Sequence, residues 1–401
     1  MKEGWKYKKL GEIATIRRGL TYKKEDEVEK SNKIVLRSNN VDLETHQLIF
    51  DELKYLKDDF DIPEEKILKK GDLLMCMSNG SKIHLGKVAL IEQNIHFAFG
   101  GFMSAIEHNK SVLDKFFYYA LISPNFKQHI KELQDGANIN NLKIRDIESF
   151  SIPVPPLPDQ QRIVTYLDAE FAKIEALKAN AEKQLQAAKD LFQAALKELL
   201  TPKEGWVEKK LGDCLSKLSD GSHNPPKGVD VSPYKMLSSR NVGNNCLQDL
   251  ENVRYLSEKD FIIENRRTNA KPYDVLLTIV GTIGRCTTLK EDDLPITFQR
   301  SVAVMTPQSN LNSFFLMYYL LCNNSTLEKE AQGAAQKGIY LNQIKNLTIA
   351  YPCIGEQQRI ADRLDALSAN VKALQTNYTE TITLCNDLKQ ALLKKVFEED
   401  G

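Results

Sequence analysis

Asp159-Gln160-Gln161-Arg162-Ile163 and Glu356-Gln357-Gln358-Arg359-Ile360 are one five-residue stretch written twice. Each copy follows a proline-bearing, strand-like run, Ile152-Pro153-Val154-Pro155-Pro156 and Ile349-Ala350-Tyr351-Pro352, and each opens a long helical pattern. Outward from this pair, further matches keep the same order. Gly4-Trp5 with Lys8-Lys9-Leu10-Gly11-Glu12 returns as Gly205-Trp206 with Lys209-Lys210-Leu211-Gly212-Asp213, and Leu36 to Val41 answers Leu237 to Val242. Lys54-Tyr55-Leu56 answers Arg254-Tyr255-Leu256, Gly71-Asp72-Leu73-Leu74 answers Tyr273-Asp274-Val275-Leu276, Phe99 to Ile106 answers Phe298 to Met305, and Tyr118-Tyr119 answers Tyr318-Tyr319. Any one of these pairs is a coincidence; an ordered set running the length of the chain is a duplication.

Within each half, between about 5 and 155 and between about 206 and 352, short runs rich in Val, Ile, Leu and Phe alternate with Gly, Asn, Ser and Pro clusters, which is the pattern of strands and turns. Leu113 to Lys131 and Asn312 to Gln332 carry helical spacing instead, and each is expected as one helix. After each proline-bearing run the composition shifts to Ala, Leu, Glu, Lys and Gln, the strongest helix formers. Apolar or small residues then recur in steps of three and four, at Ile163, Leu167, Phe171, Ile174, Leu177, Ala181, Leu185, Ala188, Phe192, Ala195 and Leu199, and at Ile360, Leu364, Leu367, Val371, Leu374, Tyr378, Cys385, Leu388 and Leu392. This is the seam of a coiled coil, with Leu177 and Leu374 on it. A helix from 159 to 200 is a rod of roughly 63 Å at about 1.5 Å per residue. The expected fold is α+β: two duplicated mixed α/β domains separated by two long antiparallel coiled-coil helices, related by a pseudo-two-fold. The expected boundaries are 1–157 and 202–354 for the domains, with 158–201 and 355–401 for the helices.

The chain of 401 residues is 42% hydrophobic, enough for several buried cores, and its 54 basic and 54 acidic side chains cancel. Charge therefore gives no overall signature of nucleic-acid binding, although a neutral total can divide into a basic and an acidic face. Seven cysteines, scattered and without a CxxC pair, suggest neither a disulfide framework nor a zinc site, and fit a reducing cytoplasm. No stretch approaches the roughly 18 apolar residues that span a bilayer, and the N-terminus lacks an export signal.

Catalytic patterns fail in detail. Asn224-Pro225-Pro226 matches the core of an amino-methyltransferase motif, but Lys227 stands where an aromatic residue must stack on the extruded base. It reads as a turn. Gly80-Ser81-Lys82-Ile83-His84-Leu85-Gly86-Lys87 has one residue too many for a phosphate loop and ends on Val88 where Ser or Thr should bind magnesium. Glu64-Glu65-Lys66 after Asp58-Asp59 has the loose spacing of a metal nuclease and reads as a solvated face. None of the six histidines forms a helical metal pair. A binding role follows.

The doubled Asp/Glu-Gln-Gln-Arg-Ile signature at the head of a long helix, behind two diverged halves, resembles the specificity subunit of type I restriction-modification enzymes along essentially the whole chain. The Gly-Trp opening and the late Gly136-Ala137 and Gly333-Ala334 pairs are similar to it too. The resemblance implies a non-catalytic, cytoplasmic, prokaryotic protein that reads a bipartite double-stranded DNA site through two target-recognition domains held apart by the helices. It implies two methylation subunits docked on the helical regions and two restriction/translocation subunits in the full complex. S-adenosylmethionine, ATP and Mg are then expected on those partners, with no cofactor or metal on this chain. The alternative is a coiled-coil scaffold with two protein-binding domains.

Candidate DNA-binding residues are the polar groups that interrupt the apolar strands at matched places. In the first half these are Arg37, Ser38, Asn39 and Asn40; Ser78, Asn79, Ser81 and Lys82; and Asn138, Asn140 and Asn141. In the second they are Ser239, Arg240 and Asn241; Thr282 and Arg285; Gln299, Arg300 and Ser301; and Gln336, Lys337, Tyr340 and Asn342. Asn and Gln pair bidentately with adenine, Arg and Lys with guanine, and Ser or Thr with bases or phosphate. Because the loops match in place and differ in composition, the two half-sites are expected to differ.

Overall fold

The computed structural model describes residues 5–135, 140–331 and 338–399. The chain forms two compact units, residues 1–182 with 380–401 and residues 183–379, so each unit holds one half of the repeat and a segment of both long helices.

In the first unit, Ala14–Arg18, Met103–His108, Leu73–Cys76 and Val88–Leu90 form an antiparallel four-stranded sheet in that order. A second sheet sets Glu27–Val28, Lys54–Leu56, Lys33–Leu36 and Ala98–Phe99 side by side, the last pair parallel. Leu36, Leu74, Phe99 and Ala105 fill the space between the sheets, each fully buried. Phe116, Phe117, Ile147 and Leu167 cover the other face with helices. Alternation decides this layering, because successive strand residues such as Leu73 and Leu74 point to opposite cores.

The second unit repeats the plan. Leu215–Asp220, Val302–Pro307, Val275–Thr278 and Cys286–Thr288 form the four-stranded sheet, and Arg254–Tyr255, Lys235–Leu237 and Ile296–Phe298 the smaller one. Each unit also closes a short antiparallel pair, Lys6–Lys9 with Ser151–Val154 and Val207–Lys210 with Thr348–Tyr351. One departure is the helix Glu258–Thr268, where the first unit has only the short turn Glu64–Lys66.

The doubled pentapeptide has a structural purpose. Gln160 and Gln357 are fully buried, and each makes the same three bonds. Gln160 accepts from Leu113 N (2.9 Å) and donates to the carbonyls of Ser111 (2.9 Å) and Pro155 (2.8 Å). Gln357 accepts from Asn312 N (2.8 Å) and donates to Asn310 O (3.0 Å) and Pro352 O (2.9 Å). Each glutamine thus clamps the start of a long helix to its domain.

The helix expected over Leu113 to Lys131 is two, Asp114–Leu121 and Pro124–Asp135, because Pro124 has no N–H to continue the ladder. That over Asn312 to Gln332 is likewise two, Ser313–Cys322 and Asn324–Glu330, with Asn323 Nδ2 bonded back to Tyr319 O; Gln332 lies outside the described residues. The tyrosines also align differently from the sequence match. Tyr119 and Tyr318 are equivalent, since each hydroxyl meets an aspartate about three turns into the long helix, Asp168 and Asp365.

The long helices run Leu157–Leu200 and Ile354–Lys394. In the first unit their segments are antiparallel. Phe171 and Glu175 meet Lys389, Lys178 reaches Asn386 at 3.2 Å, and Leu167 shares a core with Leu393 and Phe397. In the second, Leu196, Leu199 and Leu200 pack with Ile360 and Leu364. The seam differs from the one expected. Leu177 is 50%, Leu388 49% and Leu374 39% exposed, while the neighbouring Lys178, Lys389 and Gln375 take the half-buried places. The reason is the 3–4 rhythm itself: from the buried Ile174 and Val371 the next inward position is four residues on, and leucine stands at three.

Candidate nucleic-acid interface

In each unit the site grows from one tight crossing of the backbone. A Cβ at Gly19 would sit 2.0 Å from Gly100 O, and one at Gly221 would sit 2.1 Å from Phe298 O. Only glycine lets the strands approach so closely. Leu20 N then donates to Phe99 O (2.7 Å) and Ser222 N to Phe298 O (2.8 Å), which delivers the segments after each glycine to the loops after each phenylalanine.

In the first unit the result is a groove of about 870 Å³. Arg37, Ser38, Asn39, Ser78 and Asn79 line it, so two of the expected loops meet there. Asn79 Nδ2 donates to Ser38 Oγ at 2.8 Å, and Ser78 bonds Asn141. Asn79 N also donates to Asn140 O at 3.2 Å, which adds the third loop. Asn140, Asn141 and Ser81 are exposed, and Ser81 N caps on Asn79 Oδ1 (2.9 Å). Lys82 faces a separate pocket beside Lys127 and Lys131. Asn138 lies outside the described residues.

Arg37 stands out electrostatically. Its Nε is buried without a hydrogen-bond partner, and no carboxylate pairs with it among the described residues. A guanidinium held in a groove with an unspent donor is suited to a base edge or a phosphate. Tyr22, in the same groove, has its hydroxyl pKa raised by burial and by the Glu27 carboxylate, so it stays a neutral donor.

In the second unit Ser239 joins the loops. Its N–H donates to Ser301 Oγ (2.9 Å), and its hydroxyl lies 3.6 Å from the Cβ position of Gly281, beside the exposed Thr282. Gln299 N donates to Leu237 O, and Arg300 is exposed. Arg240 pairs with Asp249 at 2.7 Å, and the backbone of Arg285 closes on Thr278. Ile339 N donates to Ile279 O, which brings the chain before the exposed Tyr340 alongside this turn. Asn342 instead faces a groove with Tyr319 and Asn346. Gln336 and Lys337 lie outside the described residues.

Two expected readers are structural. Asn40 and Asn241 are buried, each accepting from the backbone at the head of its own turn, Arg37 N and Ser238 N, and each donating across it, to Ile49 O and Asp249 O. Their side chains are used up holding the loop. Thr21, Tyr22 and Phe102 also line the groove and lie outside the expected set; the repeated Gly19 and Gly221 are the sequence feature from which they could have been found.

The chemistry-like motifs fall elsewhere. Pro226 lies in an irregular loop held by Arg254 Nη1 (2.9 Å). Nearby, burial alone would raise the Asp220 carboxyl, but hydrogen bonds from Arg267 and His223 outweigh it and hold it below the usual range. Glu64–Lys66 is a surface turn with Lys66 Nζ on Arg18 O. Lys87 Nζ is buried against Val41 O (2.7 Å). No group of three His, Cys, Asp or Glu that could hold a metal occurs among the described residues.

The family described as the type I restriction modification DNA specificity domain matches residues 2–187 and again 203–384. The chain belongs to this family. It is 27% identical to the EcoKI specificity subunit of Escherichia coli strain K12 over 98% of this chain and 89% of that one. To the StySPI specificity subunit of Salmonella potsdam it is 25% identical, with the same coverage. Among solved structures, a chain from work on assembly and conformational transition of the type I R-M system superposes with a TM-score of 0.79 at 20% identity, covering 98% of both. The HsdS subunit of Thermoanaerobacter tengcongensis superposes at 0.57 and 20% identity, over 100% of this chain and 98% of that one. As a specificity subunit, the protein has target recognition as its function, and the scaffold alternative is not favoured.

Proposed function

We propose that this specificity subunit reads an asymmetric, bipartite site in double-stranded DNA, one half-site per unit. The observation that carries this is the doubled crossing with different occupants: the frame at Gly19 and Gly221 repeats, but one crossing presents Arg37, Asn39, Asn79 and Phe102 and the other Ser239, Thr282, Gln299 and Arg300. Equal frames with unequal donors and acceptors read unequal bases. Residues 1–157 and 202–354 serve as recognition domains, and the helices at 158–201 and 355–401 set the spacer.

Partners dock on the helices. Leu177, Leu384 and Leu388 in the first unit, and Leu191 and Leu374 in the second, leave apolar surface outside the seam that suits methylation subunits. Two methylation and two restriction/translocation subunits complete the enzyme. They bring S-adenosylmethionine, ATP and Mg, and this chain performs no turnover. No described helix is long and apolar enough to cross a membrane. The test is adenine-methylation mapping in a host carrying this chain and its partners. A split, non-palindromic motif is expected; a palindromic or continuous motif refutes the proposal.

A further inference from the structure

Phe102 is 71% exposed, and it stands in a groove whose other reading groups are polar. Such exposure of a large apolar ring needs a reason, because the position is not loose. The Phe102 carbonyl accepts from both Met77 N (2.9 Å) and Ser78 N (3.1 Å), and Met103 N closes the turn on Gly100 O (2.8 Å). The turn lies against the Leu20 carbonyl, 3.4 Å from the Cβ position of Gly101. The ring is therefore presented on a rigid tip in the groove that Asn79 and Arg37 also line.

In the major groove the one apolar feature of a base edge is the thymine 5-methyl group. We infer that Phe102 is a specificity-determining residue whose ring packs on the 5-methyl of a thymine in the half-site read by the first unit. This rests on the DNA-reading function proposed above. The second unit has no equivalent, since Ser301 stands at the matched place and its hydroxyl accepts from Ser239 N.

The experiment uses the full chain with its methylation partners on a duplex carrying the mapped site, the half-sites having been assigned by exchanging residues 206–352. Each thymine is replaced singly by deoxyuridine, which removes only the methyl group. One thymine in the first unit's half-site should weaken binding on the order of three- to fivefold, the worth of one buried methyl. Phe102→Ala should weaken the intact site by a similar factor and abolish the thymine–uracil difference there, while Phe102→Leu keeps part of it. A uracil penalty that persists in Phe102→Ala, or a half-site with no methyl-sensitive thymine, overturns the inference while leaving DNA reading intact. Absence of any sequence-specific binding would instead overturn the reading beneath it.

Discussion

Replacing Gln160 by Leu tests how the domain is fixed to its helix. The side chain has no access to solvent, so leucine fits the volume but satisfies none of its three backbone partners, Leu113 N, Ser111 O and Pro155 O. Each lost bond costs about 1 kcal/mol net, and more where the orphaned group stays dry, so the total is at least about 3 kcal/mol. For a unit of this size that lowers the melting temperature by about 6–12 °C. Gln357→Leu should cost a similar amount in the other unit, because its three partners are equivalent. Gln161→Leu, one residue on and exposed, should stay within about 0.5 kcal/mol of the parent. Urea and thermal unfolding of the three variants decide the matter. If Gln160→Leu melts with the parent, or if Gln161→Leu is equally damaging, the clamp is not what the signature encodes.

Leu177→Glu and Leu374→Glu should leave folding of the chain nearly unchanged and weaken capture of methylation subunits, whereas Ile174→Glu and Val371→Glu should lose several kcal/mol by burying a charge; circular dichroism melts and co-purification separate the two outcomes. His46 should make the first unit acid-sensitive. Burial, with help from Lys127, holds its pKa down to about 4, so the unfolded chain takes up the proton from near pH 6.5 and the folded chain only near 4. Stability is full above that window and falls through it by about 2–3 kcal/mol; urea midpoints at pH 7 and 4.5 should show this, and His46→Gln should flatten it. Exchanging residues 206–352 for those of a relative should change one half-site only. Four residues added to the first long helix, about 6 Å, should stretch the spacer by one or two base pairs without altering either half-site, which methylation mapping reads directly.

The duplication, the strand-rich halves and the two long helices were legible in the sequence, because each depends on local composition, spacing and order. The doubled pentapeptide could be seen there, but not that its first glutamine is a buried clamp. Three-dimensional packing decided the rest. Leucines at 177 and 374 look like seam residues until the helices meet and turn Lys178 and Gln375 inward, since a difference of one residue is about 100° of rotation. Asn40 looks like Asn39 in sequence; the short turn that buries one and exposes the other exists only once the loop closes on Ile49 and Glu52. The groove itself was invisible, because Gly19, Arg37, Asn79 and Phe102 are far apart in the chain. The sequence determines which groups are available. Which of them share a surface is decided where backbones cross, at contacts between residues some eighty positions apart.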